Sequence, residues 1–307
     1  MAKLADAQVL GTCGETLGGS IPLLGTLLDP TQTPMYDKIM RKAFLVLLIL
    51  LFVLTSLRSF IYASSDTAYQ DYLYQFDLYR QTYTDFQVAK NEYQKFKSLE
   101  SQTAALDKTR IMLAQRDQLL RAYLLLLNEK LNENTGMGSS EKLLYQTLIR
   151  NEVAFLETHA KLIPSIGSLD DAGTISKQLE SHYLILQKSM RQTIVGISVG
   201  KLAELRKQFD TTFATAQTLI NTTRGAFTPE KQATMDRWVL QINNKKSLYQ
   251  QKIDSINSSN SSWDTNSLDE MNRKFLGLQG NIASAKQELQ EGSSFLGELV
   301  NTLRYQD

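Results

Sequence analysis

The sequence predicts an all-α protein, with a single N-terminal transmembrane helix followed by an elongated helical bundle or coiled coil. Three observations predict this fold. Only Pro164 and Pro229 follow Pro34, so long uninterrupted helices are permitted. Apolar residues recur at intervals of three and four along most of the chain. Residues 43–63 form the one stretch that is long and apolar enough to cross a bilayer.

The composition argues against several classes of function. The 33 Lys and Arg residues nearly cancel the 32 Asp and Glu residues, so we expect no nucleic-acid partner. Cys13 is the single cysteine, and His159 and His182 are the only histidines, so neither a disulfide nor a Cys/His zinc site is expected. We interpret both histidines as surface or packing residues, and we expect no cofactor, no metal and no enzymatic activity.

Residues 1–34 differ in composition from the rest of the chain. The stretch MAKLADAQVLGTCGETLGGSIPLLG resembles the conceptual translation of a leucine transfer-RNA gene. Gln8–Cys13 back-translate into a stem that closes a leucine anticodon loop, and Gly18–Pro22 back-translate into a T-arm. We therefore expect translation to begin at Met35 or Met40, in a compact prokaryotic genome. The alternative is a genuine, disordered cytoplasmic tail.

Residues 43–63 are interpreted as the membrane anchor, because a helix of this length spans about 31 Å. More basic residues precede the span, in the short segment 35–42, than follow it closely. The positive-inside rule then places the N-terminus in the cytoplasm and residues 64–307 outside it. The rival interpretations are a signal peptide cleaved near Ala63 and a buried helix of a soluble bundle. The residues assigned to the anchor are Lys38, Arg41, Lys42, Arg58, Phe60 and Tyr62.

An aromatic seam follows the anchor, on a helix predicted at 64–100. Its members recur at intervals of three and four and therefore share one side of the helix. The seam indicates either packing against other helices of the same chain or association with a partner or a second copy. Lys90 interrupts the pattern. The members are Tyr69, Tyr72, Phe76, Tyr79, Tyr83, Phe86 and Tyr93.

Five further helices are predicted at 104–132, 141–163, 171–223, 229–256 and 267–303. Gly/Ser/Asn turns and Pro164 separate them, and caps at Ser168, Thr228 and Ser267 open the last three. Gly196 and Gly200 lie four residues apart on one helix face. This spacing predicts either close approach of a neighbouring helix or a kink.

These patterns favour a cell-envelope scaffold or interaction protein that acts through its helix seams. The expected partners are the lipid bilayer, through one helix, and a protein partner or a second copy of the chain. The alternative function is an extracytoplasmic ligand-sensing bundle, in which a small molecule binds between helices and a separate membrane partner carries the signal.

Overall fold

The computed structural model describes the backbone of residues 37–264 and 267–304, and the side chains within those ranges from residue 65 onwards. All regular structure within these residues is helical, which confirms the predicted all-α class. The α-helices are α1 (Asp37–Phe96), α2 (Leu99–Asn132), α3 (Ser139–Ala160), α4 (Leu169–Thr223), α5 (Pro229–Ser261) and α6 (Leu268–Arg304). Two short 3-10 helices cover Ile163–Ser165 and Arg224–Ala226.

The break between α1 and α2 lies earlier than predicted. The first helix ends at Phe96 rather than at 100, and the second begins at Leu99 rather than at 104. Lys97 has a left-handed φ of 50°, and the Ser98 hydroxyl accepts a hydrogen bond from the backbone N–H of Ser101. No Gly or Pro marks this break in the sequence, so the helical pattern does not show at which residue the first helix ends.

The other boundaries differ from the predictions by a few residues. The helix predicted at 141–163 is α3 and ends at Ala160, because Pro164 lies in a separate 3-10 helix. The Ser168 hydroxyl caps α4 by accepting the N–H of Asp171, so α4 begins before 171. The last turn of α5 continues to Ser261, beyond the predicted end at 256.

The N-terminal bundle consists of the part of α1 from residue 65 onwards, α2, α3 and the first half of α4. Neighbouring helices run antiparallel: Arg121 of α2 pairs with Glu157 of α3 at 3.2 Å. The α1 helix lies along α2, where the Tyr72 and Tyr123 rings are 5.3 Å apart between centroids. Buried apolar side chains of this bundle include Leu113, Leu124, Leu131, Ile149, Leu156, Leu179 and Leu186.

The C-terminal bundle consists of the second half of α4 with α5 and α6. One apolar cluster lies near the first bundle and contains Val195, Val199, Leu202, Tyr249, Ile253, Ile256, Trp263, Met271, Phe275, Leu278, Ala285 and Leu289. The other lies towards the end of α4 and contains Phe209, Phe213, Ala216, Ile220, Met235, Ile242, Leu296 and Leu299. Both clusters draw residues from all three helices.

The α4 helix belongs to both bundles. It contains 55 residues without a break. At 1.5 Å per residue it is about 80 Å long. The break considered at Gly196 and Gly200 does not occur, since both glycines lie inside this continuous helix. The junction between the bundles is therefore the middle of one helix rather than a linker.

The predicted anchor lies outside the residues whose side chains are described, as do residues 1–34 and 35–42. Within the part of the chain that the structure describes, none of the helices combines the length and apolarity needed to cross a membrane. The first described side chain, Ser65, is buried beside the end of α2. Its N–H donates to Glu133 at 3.0 Å, and its hydroxyl accepts from Lys130 at 3.1 Å.

Substitution of Phe213 tests whether its side chain belongs to the core of the C-terminal bundle. Its side chain is almost fully buried, so Phe213→Ala removes a large ring and leaves a cavity. We expect the free energy of unfolding to fall by about 3–5 kcal/mol, measured by urea titration with circular dichroism. Leu240→Ala in α5 is the control, because Leu240 is 67% exposed and its loss should change stability by less than about 0.5 kcal/mol. Equal losses for the two variants would contradict this core.

Candidate functional site

One stripe of the α1 helix faces the rest of the N-terminal bundle. Tyr72 and Tyr79 are its central members, and each side chain is only 7% exposed. Burial raises the pKa of both phenols above the ordinary value, so both remain neutral. Ser65 and Ala89 are buried on the same side. This stripe is the part of the predicted seam that packs within the chain.

A second row of rings lies beside this stripe. Tyr69, Phe76 and Tyr83 follow one another at intervals of seven residues, and we call them the aromatic edge. Tyr69 is 45% exposed and Tyr83 is 42% exposed, whereas Phe76 is half-buried. Ring contacts join the aromatic edge to the buried stripe: the Tyr69–Tyr72 centroids are 6.4 Å apart, and the Tyr79–Tyr83 centroids are 5.9 Å apart. The edge is therefore held in place but remains partly open to solvent.

The structure thus divides the predicted seam between its two interpretations. Tyr72 and Tyr79 belong to the intramolecular core, and the aromatic edge is accessible to another molecule. Phe86 and Tyr93 are half-buried near the α1–α2 turn. Lys90, which interrupts the pattern, lies with its ammonium 5.7 Å from the Phe86 ring centroid. Sequence periodicity could not separate these groups, because the two rows are only about 50° apart on the helix.

The predicted anchor residues cannot be placed in the same way. They lie outside the described side chains, so they stay predictions. They are Lys38, Arg41, Lys42, Arg58, Phe60 and Tyr62.

The glycine pair of α4 lies at the junction of the two bundles. A Cβ atom added to Gly196 would overlap the ring of Tyr145 from α3, and one added to Gly200 would overlap the side chain of Asn134. The backbone of Gly136 in turn lies directly against Gly200. The predicted close approach therefore takes two forms: an aromatic ring packs against Gly196, and the backbone of another segment packs against Gly200.

Asn260 links the two bundles through hydrogen bonds that the sequence did not suggest. Its Nδ2 donates to the Tyr145 hydroxyl at 2.9 Å and to the Gln192 carbonyl at 3.1 Å. Its Oδ1 accepts from Trp263 Nε1 at 3.0 Å. Burial raises the pKa of Tyr145 to about 12, which keeps the phenol neutral within this cluster. The side-chain amide of Asn260 thereby connects α3, α4, α5 and the loop that follows α5.

Both histidines lie in a polar layer of the N-terminal bundle, and of the two interpretations, surface or packing, His159 follows the second. His159 is only 2% exposed and contacts Asp117 of α2 at 2.6 Å. His182 contacts the buried Glu152 at 2.7 Å, and Phe155 stacks on the His182 ring at 3.6 Å. We call these five residues the two-histidine layer. The partners come from different helices, so spacing along the chain could not reveal them.

Comparisons with protein-family models, with curated proteins and with solved structures yield no match to this chain. What the chain does is therefore inferred from its own surfaces and clusters. The aromatic edge has the character of an interaction surface, because tyrosine and phenylalanine supply large contact areas with few rotatable bonds.

Two glycine substitutions with opposite expected effects on stability test the packing at the junction. Gly196→Ala places a methyl group in the Tyr145 ring and displaces it from Asn260, so stability should fall by about 1–3 kcal/mol. Gly297→Ala in α6 meets nothing within 4 Å and should raise stability by about 0.5–1 kcal/mol, because alanine favours helix. Thermal unfolding measures both variants. A neutral or stabilising Gly196→Ala would show that the ring does not need this space.

Proposed function

We propose that this protein is a membrane-anchored scaffold of a prokaryotic cell envelope. Its helical body lies outside the cytoplasm and associates with a second copy of the chain through the aromatic edge of α1. The observation that carries the proposal is the partial exposure of Tyr69 and Tyr83 beside a firmly packed tyrosine stripe. The anchor itself is proposed from the apolar stretch at 43–63 and the basic residues before it.

The aromatic edge suits a pair of parallel helices. Members of a seven-residue repeat in two parallel helices meet their own counterparts, so Tyr69, Phe76 and Tyr83 would each contact the same residue of the second copy. The rings are already held by Tyr72 and Tyr79, so little side-chain freedom is lost on association. Tyrosine also tolerates water, which allows the edge to remain exposed in a single copy.

Anchoring favours this contact over contact with an unrelated protein. Two copies held in one bilayer share an orientation along the membrane normal, which is the orientation that a parallel pair requires. Confinement to the membrane also raises the effective concentration of one copy near another. The aromatic edge begins four residues after Ser65, and it is therefore close along the chain to the proposed anchor.

A ligand-sensing function has one observation in its favour. A cleft of about 250 Å³ lies between α2 and α3, and Asp117 of the two-histidine layer is among its lining residues. Two of the charged residues that line this cleft, Arg121 and Glu157, already pair with each other. The cleft is lined by Asp117, Gln118, Arg121, Leu156, Glu157, Ala160 and Lys161. Thermal stabilisation by a small molecule would favour sensing.

Cysteine cross-linking in membranes tests self-association at the aromatic edge. In a Cys13→Ser background, Tyr69→Cys should form a disulfide-linked dimer under mild oxidation, because the two residues would face each other across the pair. Tyr74→Cys is the matched control: Tyr74 is 62% exposed and lies on the opposite side of α1. Non-reducing gels should show at least several-fold more dimer for Tyr69→Cys. Equal yields at the two positions would overturn the proposed contact.

Analytical ultracentrifugation of the full chain in detergent measures the same contact without cross-linking. We expect a concentration-dependent dimer that Tyr69→Ser with Tyr83→Ser weakens at least tenfold, while helicity is unchanged. Tyr74→Ser should leave the dissociation constant as it is. A monomer at every concentration would contradict self-association and make a different protein partner the next hypothesis.

The anchor is tested by fractionation and mass measurement. The chain should remain with membranes after alkaline carbonate extraction, and protease added to intact spheroplasts should digest the helical body. An intact mass that begins at Met35 or Met40 would confirm both the start site and the uncleaved anchor. Release by carbonate, or a mass that begins after Ala63, would contradict the anchor.

A further inference from the structure

His159 has acceptors on both sides of its ring. Nδ1 lies 2.6 Å from the Asp117 carboxylate, and Nε2 lies 2.9 Å from the Ile175 carbonyl oxygen. A neutral imidazole carries one N–H and can donate to only one of them. An ionised Asp117 carboxylate can only accept, so beside it the doubly protonated imidazolium is the form that donates to both partners at once. With that carboxylate ionised, the geometry favours a charged histidine in the core of the N-terminal bundle.

The contacts of His159 join three helices. His159 belongs to α3, Asp117 to α2 and Ile175 to the first turns of α4. Removal of the proton would leave Nδ1 or Nε2 facing an acceptor without a hydrogen between them. It would also deprive the buried Asp117 carboxylate of its nearer charged partner and leave it with Arg116 at 3.9 Å, which costs more than an ordinary lost hydrogen bond.

The groups around His159 shift its pKa in opposite directions. The Asp117 hydrogen bond and the Ile175 carbonyl raise the pKa of His159 above its ordinary value, whereas burial and Arg116 lower it. The net direction is upward. Arg116 of α2 is itself close to Asp117, to Tyr79 of α1 and to Glu180 of α4. On the other side of Phe155, His182 of α4 contacts Glu152 of α3.

We infer that the contact of His159 with Asp117, within the two-histidine layer, is a proton-controlled latch of the N-terminal bundle. In the protonated state, His159 holds α2, α3 and the start of α4 together. Loss of that proton weakens the contacts of α3 with α2 and α4, so that α3 opens more often, and the C-terminal bundle is unaffected because its two apolar clusters contain no histidine. The latch is independent of whether two copies associate through the aromatic edge.

The sign of the pH dependence follows from linkage. A group whose pKa is higher in the folded state than in the unfolded state stabilises the fold fully below the unfolded value, which is about 6.5 for histidine. That stabilisation declines as the pH rises from there through the folded-state pKa, and it is absent above it. Within this window the equilibrium constant for opening rises up to tenfold for each pH unit.

Nuclear magnetic resonance of the full chain in detergent tests the proton directly. Labelling the histidine rings with ¹³C gives two resonances, which His182→Gln assigns by removing one of them. We expect the His159 signal to titrate above pH 6.5. A midpoint at or below 6.5 would overturn the proposal, because the ring would then be neutral at neutral pH.

Hydrogen exchange tests the latch itself. After correction for the intrinsic pH dependence of exchange, amides of α3 and the first turns of α4 should open more often as the pH rises from 6 to 9. Amides of α6 serve as the internal control and should not change. Uniform loosening of both bundles, or none in α3, would overturn the latch.

Two variants separate the latch from simple packing. Asp117→Asn can still hydrogen-bond Nδ1 but no longer favours the charged ring, so the pH dependence of α3 should disappear while the bundle stays folded. His182→Gln can still donate to Glu152 and should keep the pH dependence. Unchanged pH dependence in Asp117→Asn would contradict the proposal, and should that variant fail to fold, the titration of the wild-type His159 decides.

Discussion

The contact between Tyr145 and Gly196 is the constraint on which the rest of the structure depends. A side chain at residue 196 would occupy the space of the Tyr145 ring, so the start of α3 can lie against the middle of α4 only with glycine there. The position of Tyr145 then places its hydroxyl on Asn260 at the end of α5. One close approach thereby relates the N-terminal bundle to the C-terminal bundle across a continuous helix.

The two bundles differ in what their interiors contain. The C-terminal bundle is held by apolar clusters, in which burial of side chains such as Phe213 and Met235 supplies most of the stability. The N-terminal bundle places a chain of acid and base groups through its core, with Asp117, His159 and Glu152 all nearly inaccessible to water. Buried charges of this kind stabilise weakly but respond strongly to protonation, so the N-terminal bundle is the part suited to regulation.

The aromatic edge and the proposed latch lie in different parts of the protein. The aromatic edge lies on α1, close along the chain to the proposed anchor, and its rings are supported from behind by Tyr72 and Tyr79. The latch lies deeper, among α2, α3 and α4. The α1 helix in turn packs on α2, where the Tyr72 ring contacts Tyr123 and the Gln115 side chain donates to Gln75.

By itself, the sequence determined the all-α class, the approximate helix positions and the helix caps at Ser168, Thr228 and Ser267, because these depend on periodicity and on residues within one turn of each other. Tertiary structure alone decided which tyrosines are buried, since both rows of the seam share the same spacing. It also decided that His159 meets Asp117, because these two residues are 42 positions apart along the chain. Contacts between distant helices depend on how whole faces pack, and no local pattern records them.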